Sequence, residues 1–417
     1  MSAPLAILWL KTGPLHPVDT GGKIRTFNML RELRKKHRVT YLALCTEDTT
    51  DKVKDEARIY SHEQIWVPWK ETPKFTLPFY AELAKNFACT RRPYIIQKYE
   101  SKPMAMKIQG QDLTGKHDLI VCDFLTPAVN LFRHDQPPVT PTLLFQHNVE
   151  ALIWKRMFET AEGRLKRFYL RDQWQRMHEY EREACAAVDG VAGVSDQDCE
   201  LMRTELGLKN VLGSVPTGVD LEHFSPAPAA GRKPRSIAFL GSMDWMPNID
   251  AVTWFADEIW PLLKLRFPDV TLTIIGRKPT PRVQELAQRD PAIRVTGTVP
   301  DVRPFLAESE VVVVPLRVGG GTRIKIFEAM ATGIPVVSTR IGAEGLPIRH
   351  GEDILLADQP ADFAQQIAFL FDQEPLRRTI GQNARTLVQE RFSWGSVTKV
   401  FEKYCHDVVA RRRQATP

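Results

Sequence analysis

Three consecutive glycines, Gly319, Gly320 and Gly321, follow a run of four valines and precede Thr322, Arg323, Lys325 and Glu328. Glycine lets a backbone approach a ligand closely. A helix starting near Thr322 would turn unpaired N–H groups and a positive dipole end towards an anion such as a diphosphate. Arg323 and Lys325 in the first turn oppose that dipole, and an anionic ligand would resolve the conflict. Glu328 falls three residues after Lys325, on the same helical face. The same residues also suit a plain glycine-rich turn with solvated Arg and Lys. The segment is not a GxxxxGK[ST] phosphate loop, and no GxGxxG follows the first strand.

Two other places invite the same question. Gly21 and Gly22 suit a tight turn that opens a helix after the first strand. His147 ends a strand candidate, where open parallel sheets hold ligands, although a lone histidine is often structural. Asp196 and Asp198 have the DxD spacing of a metal site, yet Ser195 and Asp198 have the S-x-x-D spacing of a helix cap, which is the reading preferred. No other Asp, Glu, His or Cys cluster shows ligand spacing, so no metal is expected. Residues 154–182 form a long helical pattern in which eight Lys and Arg, among them Lys155, Arg156, Arg164, Lys166, Arg167, Arg171 and Arg176, are interleaved with aromatics. Such a stretch can lie on an anionic membrane. Five acidic residues dilute its charge and favour a solvated helix whose apolar stripe meets the core.

These residues need elements to hold them. Short apolar runs without in–out alternation, at 5–10, 39–44, 118–123, 142–147 and 190–195, then 236–242, 271–276, 293–299, 310–316 and 334–339, read as strands covered on both faces. Helical stretches lie between them, including 24–36 and 249–267, so the class is α/β with parallel sheets. The Pro-, Gly- and Ala-rich stretch 211–234 is the expected interdomain region. Two doubly wound domains facing a cleft result, which suits 417 residues of which 43% are apolar. The net charge of +6 is spread over both halves and gives no basic field for nucleic acid. Six cysteines without a CxxC pair suit a reducing cytoplasm. No apolar run reaches the length of a membrane span.

With these stretches in view, the chain resembles the retaining glycosyltransferases of family 4, which have two Rossmann-like domains (the GT-B fold), and most of all the bacterial exopolysaccharide- and exosortase-associated sugar transferases. The matching stretches are GGKIRTFNMLREL (21–33), QHNVEALIW (146–154), GVSDQDCELM (193–202), PTGVDLEHFSP (216–226), FLGSMDWMPNIDAVTWFADEIWP (239–261) and GGGTRIKIFEAMATGIPVVST (319–339). The resemblance implies an acceptor-binding N-terminal domain over 1–210, a nucleotide-sugar-binding domain over 211–390, and a helix over 391–417 crossing back to the first. It places Gly21 and Gly22 beside donor phosphates and acceptor, His147 on the donor sugar, and Glu328 on the ribose hydroxyls as the second glutamate of an E-x7-E motif.

Two departures matter. The first glutamate of that motif is replaced by Gly320. The Arg and Lys that hold the diphosphate in the family correspond here to Ser242 and Asn248. Arg323 and Lys325 are expected to supply the missing charge, together with the Gly320–Gly321 amides and Thr322. The implied reaction moves a sugar from a UDP- or GDP-sugar to a sugar, lipid-linked or small-molecule acceptor, with retention and by front-face attack. No cofactor or metal takes part, and the place is the cytoplasm or the inner face of the membrane. A non-catalytic nucleotide-sugar binder and a nucleotide-sugar epimerase are the alternatives.

Overall fold

The computed structural model describes residues 3–132, 137–159, 161, 163–226, 231–318 and 324–415. The chain divides into two compact units: Met1–Pro216 with Val397–Pro417, and Thr217–Ser396.

The first unit is built on seven parallel strands: β1 (Ala6–Lys11), β2 (Arg38–Cys45), β3 (Glu63–Pro68), β4 (Leu119–Asp123), β5 (Thr142–Phe145), β6 (Gly190–Gly193) and β7 (Val211–Ser214). Their order is β3-β2-β1-β4-β5-β6-β7, so the winding reverses between β1 and β4. The central strands are buried on both faces, as at Ile120, Val121 and Cys122, which explains their uninterrupted apolar runs. Five helices matter below: α1 (Gly21–Leu33), α2 (Leu77–Cys89), α3 (Glu150–Glu159), α4 (Arg164–Ala186) and α5 (Asp196–Thr204).

Three sequence expectations meet the structure here. The single long helix expected over 154–182 is two helices, α3 and α4, separated by Gly163 at φ 87°, a left-handed conformation that suits glycine. The stretch 211–234 does not begin as a linker. Its first four residues are edge strand β7, paired with β6, and the units part at 216/217. Ser195 caps α5: its Oγ accepts from the Asp198 N–H (3.1 Å) while its hydroxyl donates to Asp198 Oδ2 (2.6 Å). Asp198 is therefore engaged in the cap.

The second unit has six parallel strands: β8 (Ser236–Leu240), β9 (Thr271–Ile275), β10 (Ile293–Val295), β11 (Val311–Val314), β12 (Val336–Ser338) and β13 (Leu355–Leu356). The order is β10-β9-β8-β11-β12-β13, with the reversal between β8 and β11. Helix α6 (Met246–Trp254) runs through a π turn at Phe255–Ile259 into Trp260–Arg266. Helix α7 (Ile324–Ala331) links β11 to β12 and buries Ile326, Phe327, Ala329 and Met330. It anchors whatever its first turn carries.

The last helix, α8 (Trp394–Ala415), belongs to the first unit from Val397 onward. Val397, Phe401, Cys405 and Val408 form its buried stripe. Phe401 meets Trp9 and Phe145 at ring-centroid distances of 5.6 and 5.1 Å. A Cβ at Gly190 on β6 would lie 2.7 Å from Val408, so the glycine admits the helix.

Candidate active site

In each sheet the polar side chains gather at the reversal point, beyond the carboxyl ends of the strands, where doubly wound sheets bind ligands. In the first unit the centre is Asp123, the last residue of β4. It is fully buried. Its Oδ2 accepts from Trp9 Nε1 (3.1 Å), Lys11 Nζ (2.6 Å) and Thr26 Oγ1 (2.6 Å), and its Oδ1 accepts from His147 Nε2 (2.7 Å). Burial would raise the carboxyl's pKa, but Lys11 and His147 outweigh it and hold Asp123 far below the usual carboxylate range. Burial also pushes His147 down to about 4, against the pull of Asp123. The imidazole is therefore neutral at pH 7, with its proton on Nε2 facing Asp123. Nδ1 keeps its lone pair and can accept a hydrogen bond from a ligand hydroxyl.

Two contacts fix that ring. Phe124, in the left-handed region at φ 76°, stacks on it with centroids 3.7 Å apart. The first turn of α1 comes in closely: a Cβ at Gly22 would lie 2.7 Å from the Phe124 ring and 3.9 Å from His147 Nδ1. Gly22 and His147 are thus brought together, with Gly21 the first residue of the same helix, and glycine at 22 is a requirement of space. The loop carrying His147 is held from beneath by Glu181 of α4, which is fully buried. Its carboxylate accepts from Gln146 Nε2 (2.9 Å) and from the N–H groups of Glu150 (2.9 Å) and Ala151 (2.7 Å), at the start of α3. Burial nonetheless pushes Glu181 up to about 8.

In the second unit, Ser242 and Asn248 follow β8. The Asn248 side chain donates to the Ser242 carbonyl (2.9 Å) and accepts from Lys325 Nζ (2.7 Å). The Ser242 hydroxyl accepts from Arg277 Nε (2.8 Å) and donates to Asp244 (2.6 Å). A Cβ on Gly276 would fall 1.7 Å from the Gly241 carbonyl oxygen, so the β8 and β9 loops can cross only with glycine there. That crossing brings Arg277 to Ser242. Each of these two positions touches a cation: Asn248 touches Lys325 and Ser242 touches Arg277. Glu328, one turn along from Lys325, is pushed up to about 7 by burial, with Lys325 opposing. Among the described residues no donor reaches its carboxylate, which leaves its oxygens available to ligand hydroxyls. Gly320, Gly321, Thr322 and Arg323 lie outside the described residues.

One grouping has metal-ligand types. Atoms of His37, Glu402 and His406 lie within 4.8 Å of one another, a constellation that spacing in the sequence did not reveal. His37 Nδ1, however, accepts from the Leu5 N–H (3.1 Å). The ring proton is thereby placed on Nε2, which faces Glu402 at 3.5 Å. A metal needs a lone pair on that nitrogen and a proton on the other; the ring is set the opposite way.

Residues 234–373 match the sequence model of the family described as Glycosyl transferases group 1. The second unit is a group 1 glycosyl transferase domain. The chain is 21% identical over 67% of its length to an uncharacterized protein in the cps region of Klebsiella pneumoniae, covering 72% of that protein. It is 30% identical over 44% of its length to a phosphatidyl-myo-inositol mannosyltransferase of Mycolicibacterium smegmatis, covering 49% of it. Among solved structures, a sucrose-phosphate synthase from Thermosynechococcus elongatus superposes with a TM-score of 0.66 at 16% identity, covering 98% of this chain and all of that one. Anabaena HepE in complex with UDP and glucose does so at 0.62 and 15% identity, covering 96% of this chain and 99% of that one. These likenesses establish the GT-B fold.

Sequence reasoning missed Lys11, Thr26, Asp123, Glu181 and Arg277. Asp123 and Lys11 were legible as charged ends of apolar strands at the reversal point. Arg277 was legible as a cation in the loop after β9. Glu181 carried no signal, because an acidic residue on a charged helix looks solvated.

Proposed function

We propose that this protein transfers a sugar from a nucleoside diphosphate sugar to an acceptor with retention of anomeric configuration, in the building of a cell-surface polysaccharide or glycolipid. The observation that carries the reading is the pairing of Lys325 with Asn248 and of Arg277 with Ser242, with the carboxylate of Glu328 one turn along from Lys325. Two cations presented through neutral oxygens suit a diphosphate, and a carboxylate accepts both hydroxyls of a ribose. The HepE complex with UDP and glucose supports a uridine nucleotide as the first candidate.

The work of such a site is electrostatic. Negative charge grows on the leaving diphosphate as the glycosidic bond breaks, and prearranged cations stabilise it without reorganisation. His147 is neutral, so its part is to accept a hydrogen bond from a hydroxyl of the transferred sugar through Nδ1. Asp123 holds the tautomer that makes this possible. The diphosphate takes the acceptor's proton as the new bond forms on the face it leaves.

The test is incubation with UDP-, GDP- and ADP-sugars and a panel of glycan and polyprenyl-phosphate acceptors, with products read by mass spectrometry and the anomeric coupling by NMR. A product of unchanged anomeric configuration is expected. An inverted product overturns retention. An epimerised donor, or tight donor binding without turnover on every acceptor, overturns transfer and favours an epimerase or a binding protein.

A further inference from the structure

We propose that α2 and the first turns of α4 form a docking surface for an anionic lipid bilayer. The inference is independent of the donor reading. Helix α2 carries Leu77, Pro78, Phe79, Tyr80, Leu83 and Phe87, yet Asn86 is its one buried residue. Leu77 is 86% exposed, and Phe75 just ahead of it is 80% exposed. Helix α4 behaves differently along its length. From Leu170 onward it buries an apolar stripe through Met177 and Cys185, as a core-packed helix should. In its first turns Leu165 and Phe168 are 87% and 62% exposed.

The two apolar edges belong to one surface. Phe87 and Phe168 lie with ring centroids 6.0 Å apart. Arg176 of α4 donates to the carbonyls of Asn86 (3.0 Å), Phe87 (3.0 Å) and Thr90 (2.6 Å), capping the end of α2 with a cation and fixing it to α4.

Charge selects the occupant. The segment 164–171 holds Arg164, Lys166, Arg167 and Arg171 and no acidic residue. Beside α2 lies a cavity of about 240 Å³ lined by Lys70, Lys74, Lys85 and Lys98 with the aromatic rings of Trp69 and Tyr94. Glu71 and Glu82 also line it, so lysines outnumber carboxylates two to one. A protein interface is depleted of lysine at its centre. Apolar side chains interleaved with Lys and Arg fit the acyl–headgroup boundary of an anionic leaflet, with the lysine-lined cavity open to a lipid phosphate. No helix among the described residues is long and apolar enough to cross a membrane.

The experiment is co-sedimentation of the full chain with phosphatidylcholine vesicles, with and without one-third phosphatidylglycerol. Binding is expected to the mixed vesicles only and to fall steeply between about 0.1 M and about 0.5 M salt. Leu165→Asp with Phe168→Asp, and separately Leu77→Asp, are expected to weaken it about tenfold or more. Lys166→Gln with Arg167→Gln should weaken it at least about tenfold. All these side chains are exposed, and unchanged melting temperatures confirm folding. Equal binding to both vesicle types, no binding at low salt, or full binding by the aspartate variants would overturn the proposal. So would a dimer in light scattering that the aspartate variants dissolve while vesicle binding is absent, since a second copy would then be the occupant.

Discussion

The Lys11–Asp123 pair is the sharpest point at which to test how the first unit holds its histidine. Asp123→Asn keeps the shape but removes the charge. The buried ammonium of Lys11 then loses its partner at 2.6 Å, and one of the four donors to Asp123 meets an amide nitrogen that cannot accept. Removing one member of a buried ion pair costs about 3–5 kcal/mol. Lys11→Met leaves Asp123 with the Trp9, Thr26 and His147 donors but no full positive charge, and should cost about 3 kcal/mol by the same reasoning. The double variant buries neither charge. Its loss should therefore fall short of the sum of the two single losses by about 2 kcal/mol or more. The assay is urea unfolding of the intact chain, with amide exchange in β1 and β4 separating the first unit's transition from the second's. Additive losses, or an Asp123→Asn cost below about 1 kcal/mol, would refute the claim that this pair organises the site.

Gly22→Ala puts a Cβ 2.7 Å from the Phe124 ring; an overpacking loss of about 1–3 kcal/mol is expected, with a fall in turnover as the ring stacked on His147 shifts. Glu181→Gln sets an amide N–H against the backbone donors at the start of α3; about 1–3 kcal/mol of stability should be lost, with kcat falling more than KM and the pH profile of turnover flattened at its alkaline side. His147 titrates near 4 when folded and near 6.5 when unfolded, so the folded chain binds fewer protons between those values. Its contribution to stability is fully present above about pH 6.5 and is lost as pH falls towards 4, by about 3 kcal/mol, a slope that His147→Gln should abolish in denaturant titrations at each pH. With Glu328 titrating near 7, donor affinity should rise between about pH 6 and 8; Glu328→Gln should flatten that rise and weaken binding roughly ten- to a hundredfold in calorimetric titration.

The parts of the fold visible in the sequence are those whose physics is local. β1, β4 and β11 are apolar runs because both faces are covered, and they stand out for that reason. The strands not anticipated, β3, β7 and β13, lie at sheet edges, where half-exposure breaks the apolar run and, in β7, Gly213 accompanies an irregular register with β6. At the site, Gly22, His147, Asn248, Lys325 and Glu328 come together within their own units. The partners that set their chemistry come from distant strands and helices: Asp123 from β4, Glu181 from α4 and Arg277 from the β9 loop. Long-range pairing decides those contacts, and no spacing along the chain encodes it. Gly163 was legible as a helix breaker, but the long basic pattern around it outweighed a single glycine.

The central claim is that the second unit binds a nucleoside diphosphate through Lys325, Arg277 and Glu328. Calorimetric titration of the intact chain with UDP, GDP and ADP, repeated on Arg277→Ala and Lys325→Ala, tests it most directly. The account predicts saturable binding of at least one diphosphate and a roughly tenfold or greater loss in each variant, with the corresponding nucleoside much less affected. Wild-type affinity in both variants, or an equal loss for diphosphate and nucleoside, would contradict it.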